Sequence, residues 1–125
     1  MIRRLCIPLV IALILPASAF ASCSFRIASV GGTSTVSRDM GRGCTGAETQ
    51  YGLQVSCLGS DDALLTYQVP LTCKPGGTPA VYVSFRGDSA AADVSAQRLG
   101  RTAWVRVRVS GGSVTIRKAS VGYYC

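Results

Sequence analysis

Ala63-Leu64-Leu65-Thr66-Tyr67-Gln68-Val69-Pro70-Leu71-Thr72-Cys73 is the stretch that decides the fold. Its odd positions, from Ala63 to Cys73, are all apolar, and its even positions include Thr66, Gln68 and Thr72. A period of two places one set of side chains on each face of an extended chain, whereas a helix would need apolar residues every third or fourth position. The stretch therefore reads as a long, half-buried β-strand.

The same period recurs on both sides of it. Leu53, Val55 and Cys57 alternate with Gln54 and Ser56. Val81, Val83 and Phe85 alternate with Tyr82, Ser84 and Arg86. Val105, Val107 and Val109 alternate with Arg106 and Arg108, and Val114 and Ile116 follow after a turn. Near the start, Cys23, Phe25 and Ile27 share one face, with Ser24 and Arg26 on the other. Glycines punctuate these runs at Gly31-Gly32, Gly41 to Gly46, Gly59, Gly76-Gly77, Gly87 and Gly111-Gly112. About six or seven short strands at this spacing predict an all-β domain, a small antiparallel sandwich of immunoglobulin-like type or an open barrel. Residues 88–100 suit either of two states. Asp88 or Ser89 offers a helix cap, three alanines follow and Gly100 offers a stop, but Val94, Ala96 and Arg98 also alternate.

Two hairpins carry register expectations. Matching inward faces pairs Cys57 with Ala63, Val55 with Leu65 and Leu53 with Tyr67. Continued outward, that register sets Cys73 near position 47, over ~30 Å from Cys57 along the partner strand. A disulfide needs Cα atoms within about 7 Å, so Cys57 and Cys73 are not expected to pair. Cys44 reaches Cys73 in this register, which leaves Cys23 or Cys125 for Cys57. Pro70 cannot donate to a ladder and implies an edge or bulge. In the second hairpin, Gly111-Gly112 serves as a two-residue turn. Val109 then faces Val114, Val107 faces Ile116, and the outward side sets Arg106 opposite Arg117, with Arg108 and Trp104 beside them.

Like charges directly across a ladder are unfavourable by roughly 0.2–1 kcal/mol. One reading makes Trp104, Arg106, Arg108 and Arg117 an anion-binding face for an acidic glycan or a lipid head group. The other makes it a solvated surface that keeps a valine-rich hairpin from pairing with other chains.

The compartment follows from the N-terminus. Arg3 and Arg4 precede an apolar run from Leu5 to Leu15, Pro16 breaks it, and Ala19-Phe20-Ala21 fits a small-x-small cleavage pattern. Residues 1–21 read as a signal peptide and 22–125 as a single β-rich secreted domain. Ala17-Ser18-Ala19 offers a second cleavage point. The run is shorter than the ~20 residues that span a bilayer. Phe20-Ala21-Ser22-Cys23 also resembles a bacterial lipobox, which makes Cys23 a lipidation candidate on an outer-membrane lipoprotein.

Cys6 is lost with the leader, leaving Cys23, Cys44, Cys57, Cys73 and Cys125. Export favours disulfides over metal or redox chemistry, and there is no Cys-x-x-Cys. Five is odd. Either Cys23 carries lipid, or one thiol, with Cys125 the candidate, is free or intermolecular. Loss of Arg3 and Arg4 leaves eleven Lys and Arg against six Asp and Glu, a net charge of +5. That modest charge lacks the aromatic interleaving of RNA-binding domains, so nucleic acid is not an expected partner.

Catalytic chemistry finds little purchase. The 125 residues include no histidine, which excludes a Ser-His-Asp triad and a Cys-His dyad. The only adjacent carboxylates, Asp61-Asp62, sit in an expected turn, where Asp stabilises backbone. No Asp-x-Asp-x-Asp-Gly run suggests calcium. The segment from Gly41 to Gly46 lacks the lysine of a phosphate loop and reads as a mobile loop. No catalytic residue, metal or cofactor is assigned, and the chain is not expected to be an enzyme.

Cys23-Ser24-Phe25 at the mature N-terminus, the strand Leu53-Gln54-Val55-Ser56-Cys57 and the closing Val121-Gly122-Tyr123-Tyr124 resemble pilus subunits of the chaperone–usher class, including the spore-coat-protein-U type. The chain differs from them in its short length, its extra cysteines and its terminal Cys125. The resemblance implies a Cys23–Cys57 bond and an incomplete immunoglobulin-like sandwich completed by a strand from a neighbour. The expectation is thus an exported structural or interaction protein of the cell surface or periplasm. Its partners would be other protein subunits or a surface component. A small secreted binding module or inhibitor, using the basic hairpin on an anionic partner, is the alternative.

Overall fold

The computed structural model describes residues 24–125. The leader, its cleavage points and Cys23 lie outside the described residues. Among the described residues there are nine strands: β1 (Phe25–Gly31), β2 (Thr35–Met40), β3 (Cys44–Thr49), β4 (Gly52–Cys57), β5 (Asp62–Pro70), β6 (Ala80–Gly87), β7 (Ala92–Leu99), β8 (Thr102–Ser110) and β9 (Ser113–Tyr124). They form two antiparallel sheets packed face to face, as the alternation predicts, rather than one closed barrel.

The first sheet is built around β9. On one side β9 pairs with β6 along nearly its whole length. On the other it pairs first with β4, over residues 113–116, and then with β1, over residues 118–124; β3 lies outside β4. The second sheet runs β2-β5-β8-β7. Leu53, Val55, Val114, Ile116 and Val121 project inward from the first sheet and meet Leu65, Tyr67, Val69, Val105 and Val107 from the second, all of them buried. Burial of each such side chain contributes roughly 1.5–3 kcal/mol.

The partner change along β9 needs two close approaches. At Gly32, just past β1, an added Cβ would overlap the Ile116 carbonyl, and the Gly32 N–H donates to the Arg117 carbonyl at 2.9 Å. Gly52, at the start of β4, lies against the same Ile116 carbonyl. Opposite this point the β6 register slips by one residue between Ser84 and Phe85. Arg117 and Lys118 consequently stand exposed in succession between buried Ile116 and buried Ala119.

Several expectations are corrected. Neither expected hairpin forms. Leu58–Asp61 and Gly111-Gly112 each carry the chain from one sheet to the other, so β4 and β5, and β8 and β9, face each other across the core instead of sharing a ladder. The inward residues meet either way, which is why alternation alone does not separate the two arrangements. The true hairpins are β3–β4 and β7–β8. Residues 88–100 resolve as a single 3-10 turn, Ser89–Ala91, capped by Asp88, followed by strand β7. The segment read as a mobile loop is a tight turn leading into β3, whose first three residues are Cys44, Thr45 and Gly46. In β1 the faces are reversed: Phe25 and Ile27 are exposed, while Ala28 and Val30 pack on the core. Pro70 lies at the end of β5, beyond the reach of β2, with only Thr102 of β8 opposite it, so its missing N–H costs no ladder bond on the open side.

Candidate functional site

The expected anion face does not assemble. Trp104, Arg106 and Arg108 lie on the outer surface of the second sheet, and Arg117 lies on the outer surface of the first. Arg106 is flanked by Thr66 and Ser95, so the like-charge pair never arises. Arg108 donates to the Asp62 carboxylate at 2.6 Å and stands opposite Asp93 on β7. With Asp39 on β2, three carboxylates share that surface with its two arginines. A half-exposed ion pair of this kind is worth about 0–1 kcal/mol, and its positive charge is already answered.

The cysteines pair differently from the register expectation. Cys44 bonds Cys57 directly across the β3–β4 ladder, with Cα atoms 4.0 Å apart. Cys73, after β5, bonds Cys125 at the C-terminus, with Cα atoms 5.9 Å apart. Cys57 and Cys73 do not pair with each other, as expected, although the hairpin behind that expectation is absent. Cys125 is therefore neither a free nor an intermolecular thiol, and the Cys44–Cys73 pairing is replaced. Cys57 is occupied by Cys44 and is not bonded to Cys23. The lipidation expectation at Cys23 falls outside the described residues.

The paired carboxylates have structural partners. Asp61 accepts from the Gly43 N–H at 2.8 Å, which holds the turn before β3, and Asp62 holds Arg108. Among the described residues no group of three His, Cys, Asp or Glu is placed to hold a metal ion.

The two long sides of the sandwich differ. On one, β2 and β3 approach and are bridged by Arg38 and Glu48, with nitrogen and oxygen 3.1 Å apart. A register irregularity in β2 near exposed Val36 blunts that edge further. On the other side β6 and β7 are edge strands, each eight residues long and each paired on one side only. Their inward residues Val81, Val83, Phe85 and Val94 are only partly buried, and Ala96 is exposed. Between them opens a cleft of about 440 Å³. Val81, Ala96, Ala103 and Val121 line it, together with Thr78 and Pro79 ahead of β6 and with Arg98, which stands opposite Ala103 on the inward face of β7. Sequence reading placed Val81, Val83 and Phe85 on one face but had no signal that this face would lie at an unpaired edge. That information resides in the crossover between sheets.

No family model, no curated protein and no solved structure matches the chain.

Proposed function

We propose that the protein is an exported structural or interaction protein of the cell surface or periplasm that works by joining other protein chains. The observation that carries this reading is the β6/β7 side, where two edge strands flank a cleft of about 440 Å³ lined by both apolar residues (Val81, Ala96, Val121) and polar ones (Thr78, Arg98). Unpaired strand edges present rows of N–H and C=O groups that template an added strand, and the cleft accepts its alternate side chains. Two intramolecular disulfides support an oxidising compartment. The resemblance to pilus subunits belongs to the same reading: a subunit completed by an extended segment of a neighbour.

The test is association of the exported protein, by light scattering after size exclusion and by fractionation of producing cells. Ala96 is already exposed, so Ala96→Lys should fold normally while setting an inward charge at the cleft. The expected result is surface or periplasmic material in assemblies that Ala96→Lys disperses. Wild-type protein that remains monomeric and is absent from those fractions would overturn the reading.

A further inference from the structure

Charge is segregated between the two outer faces. None of the six acidic residues lies on the outer face of the first sheet. Asp39, Asp62 and Asp93 belong to the second sheet, Glu48 pairs with Arg38, Asp61 is bound to the Gly43 N–H, and Asp88 caps the 3-10 turn. The outer face of the first sheet instead carries Arg86, Arg117 and Lys118.

These cations are interleaved with aromatic rings and hydroxyls. The Arg86 guanidinium lies 3.7 Å from the centroid of the Tyr51 ring. Around that pair opens a cleft of about 440 Å³ whose walls include Gln54, Ser113 and Thr115. Ser84 and Lys118 are register neighbours further along, and then Tyr82 pairs with Ser120. At the far end Phe25 and Tyr124 meet edge to face at 5.2 Å, beside a notch of about 170 Å³. Gly122 forms the floor there: a Cβ would overlap the Phe25 ring and come within 3.2 Å of Tyr82. Phe25, Ile27, Tyr82 and Tyr124 are 47%, 65%, 55% and 47% exposed, which is more apolar surface than a purely solvating face needs.

We propose that this face binds an acidic polysaccharide, with uronate-type carboxylates meeting Arg86, Arg117 and Lys118 and the apolar faces of sugar rings lying on Tyr82 and Phe25. The track from Arg86 to Ala80 is about 20 Å long at ~3.3 Å per residue. A nucleic acid strand would bring about six phosphates over that length, twice the available cations. A lipid surface is held by clusters of four to eight Lys or Arg, more than stand here. Sparse carboxylates separated by rings and hydroxyls match both the charge spacing and the interleaved serines and threonine.

The experiment is calorimetric titration of the folded, oxidised protein with alginate oligosaccharides, neutral dextran oligosaccharides and single-stranded DNA in separate runs. Expected are binding to alginate, none to dextran, and weaker binding to DNA. Arg86→Gln should weaken alginate binding by tenfold or more and flatten its salt dependence, and Tyr82→Ala should weaken it without changing the salt dependence. Arg106→Gln, on the opposite face, should change nothing. Equal losses from Arg106→Gln and Arg86→Gln, equal binding of dextran, or tighter binding of DNA would overturn the proposal. Ala96→Lys at the β6/β7 cleft leaves this binding intact, so the two surfaces stand or fall separately.

Discussion

The Tyr67 hydroxyl donates to the Gly32 carbonyl at 2.7 Å, tying a central strand of one sheet to the turn that leaves β1 in the other. The ring is fully buried, and this bond satisfies the hydroxyl away from water. Tyr67→Phe should cost about 1 kcal/mol in urea unfolding at pH 8. Burial pushes the Tyr67 phenol well above its ordinary value of 10.0, with the Arg38 charge offsetting only part of the effect. The folded state therefore prefers the neutral phenol. That contribution is fully present below pH 10 and is lost as pH rises above it, because the unfolded chain then ionises more readily. Unfolding midpoints at pH 8 and pH 10.5 should fall further for the wild type than for Tyr67→Phe; equal falls would show that this hydroxyl has no part in the alkaline transition.

Gly32 is also the point where β9 exchanges β4 for β1. A Cβ there would overlap the Ile116 carbonyl, which is backbone and has no rotamer to yield. Gly32→Ala is expected to destabilise by more than about 2 kcal/mol, in the range of substitutions that force a core backbone shift. Thermal melts of the variant against wild type measure it. Gly59→Ala provides the contrast, since its Cβ would meet nothing and only the positive φ of 62° is strained.

The two disulfides close loops of different length, with sequence separations of 13 for Cys44–Cys57 and 52 for Cys73–Cys125. Chain-entropy reasoning gives stabilisation of about 3 and about 4 kcal/mol respectively. The double variant Cys73→Ser/Cys125→Ser should therefore unfold at lower urea than Cys44→Ser/Cys57→Ser, by a difference near 1 kcal/mol. Alkylation of the native protein followed by intact mass should leave all four of these cysteines unmodified.

Much of the core was legible because alternation reports which face a residue takes. Leu53, Val55, Leu65, Val105, Val107, Val109, Val114 and Ile116 all point inward as their spacing requires. What alternation does not report is the partner strand. Gly111 adopts a φ of 57°, which a hairpin turn would also use, yet here it turns a corner between sheets. The consequence is large for the site, because it places Arg117 on one face and Arg106 on the other. Phe25 and Ile27 misled for a different reason: their hydrophobicity suggested core, but Ala28 and Val30 on the opposite side of β1 are the residues that pack on the core between the sheets. Residues 35–40 and 44–49 carry too few apolar side chains to read as strands. Ladder bonds to β5 and β4, not side-chain burial, hold them extended.

The bridge between Arg108 and Asp62 provides a last check on the division of charge. Both side chains are about half exposed, at 52% and 46%, and their contact is monodentate. Water and salt screen such a pair, so Asp62→Asn should shift stability by no more than about 1 kcal/mol. Its effect on surface charge should be clearer. Removing the carboxylate releases Arg108 and takes the outer face of the second sheet from three carboxylates against two arginines to two against two. Retention of Asp62→Asn on a cation exchanger should therefore rise relative to wild type, while Arg108→Gln should lower it by a comparable amount. If Asp62→Asn instead unfolded the protein, the pair would be a structural anchor of the β5–β8 ladder rather than a charge-neutralising contact.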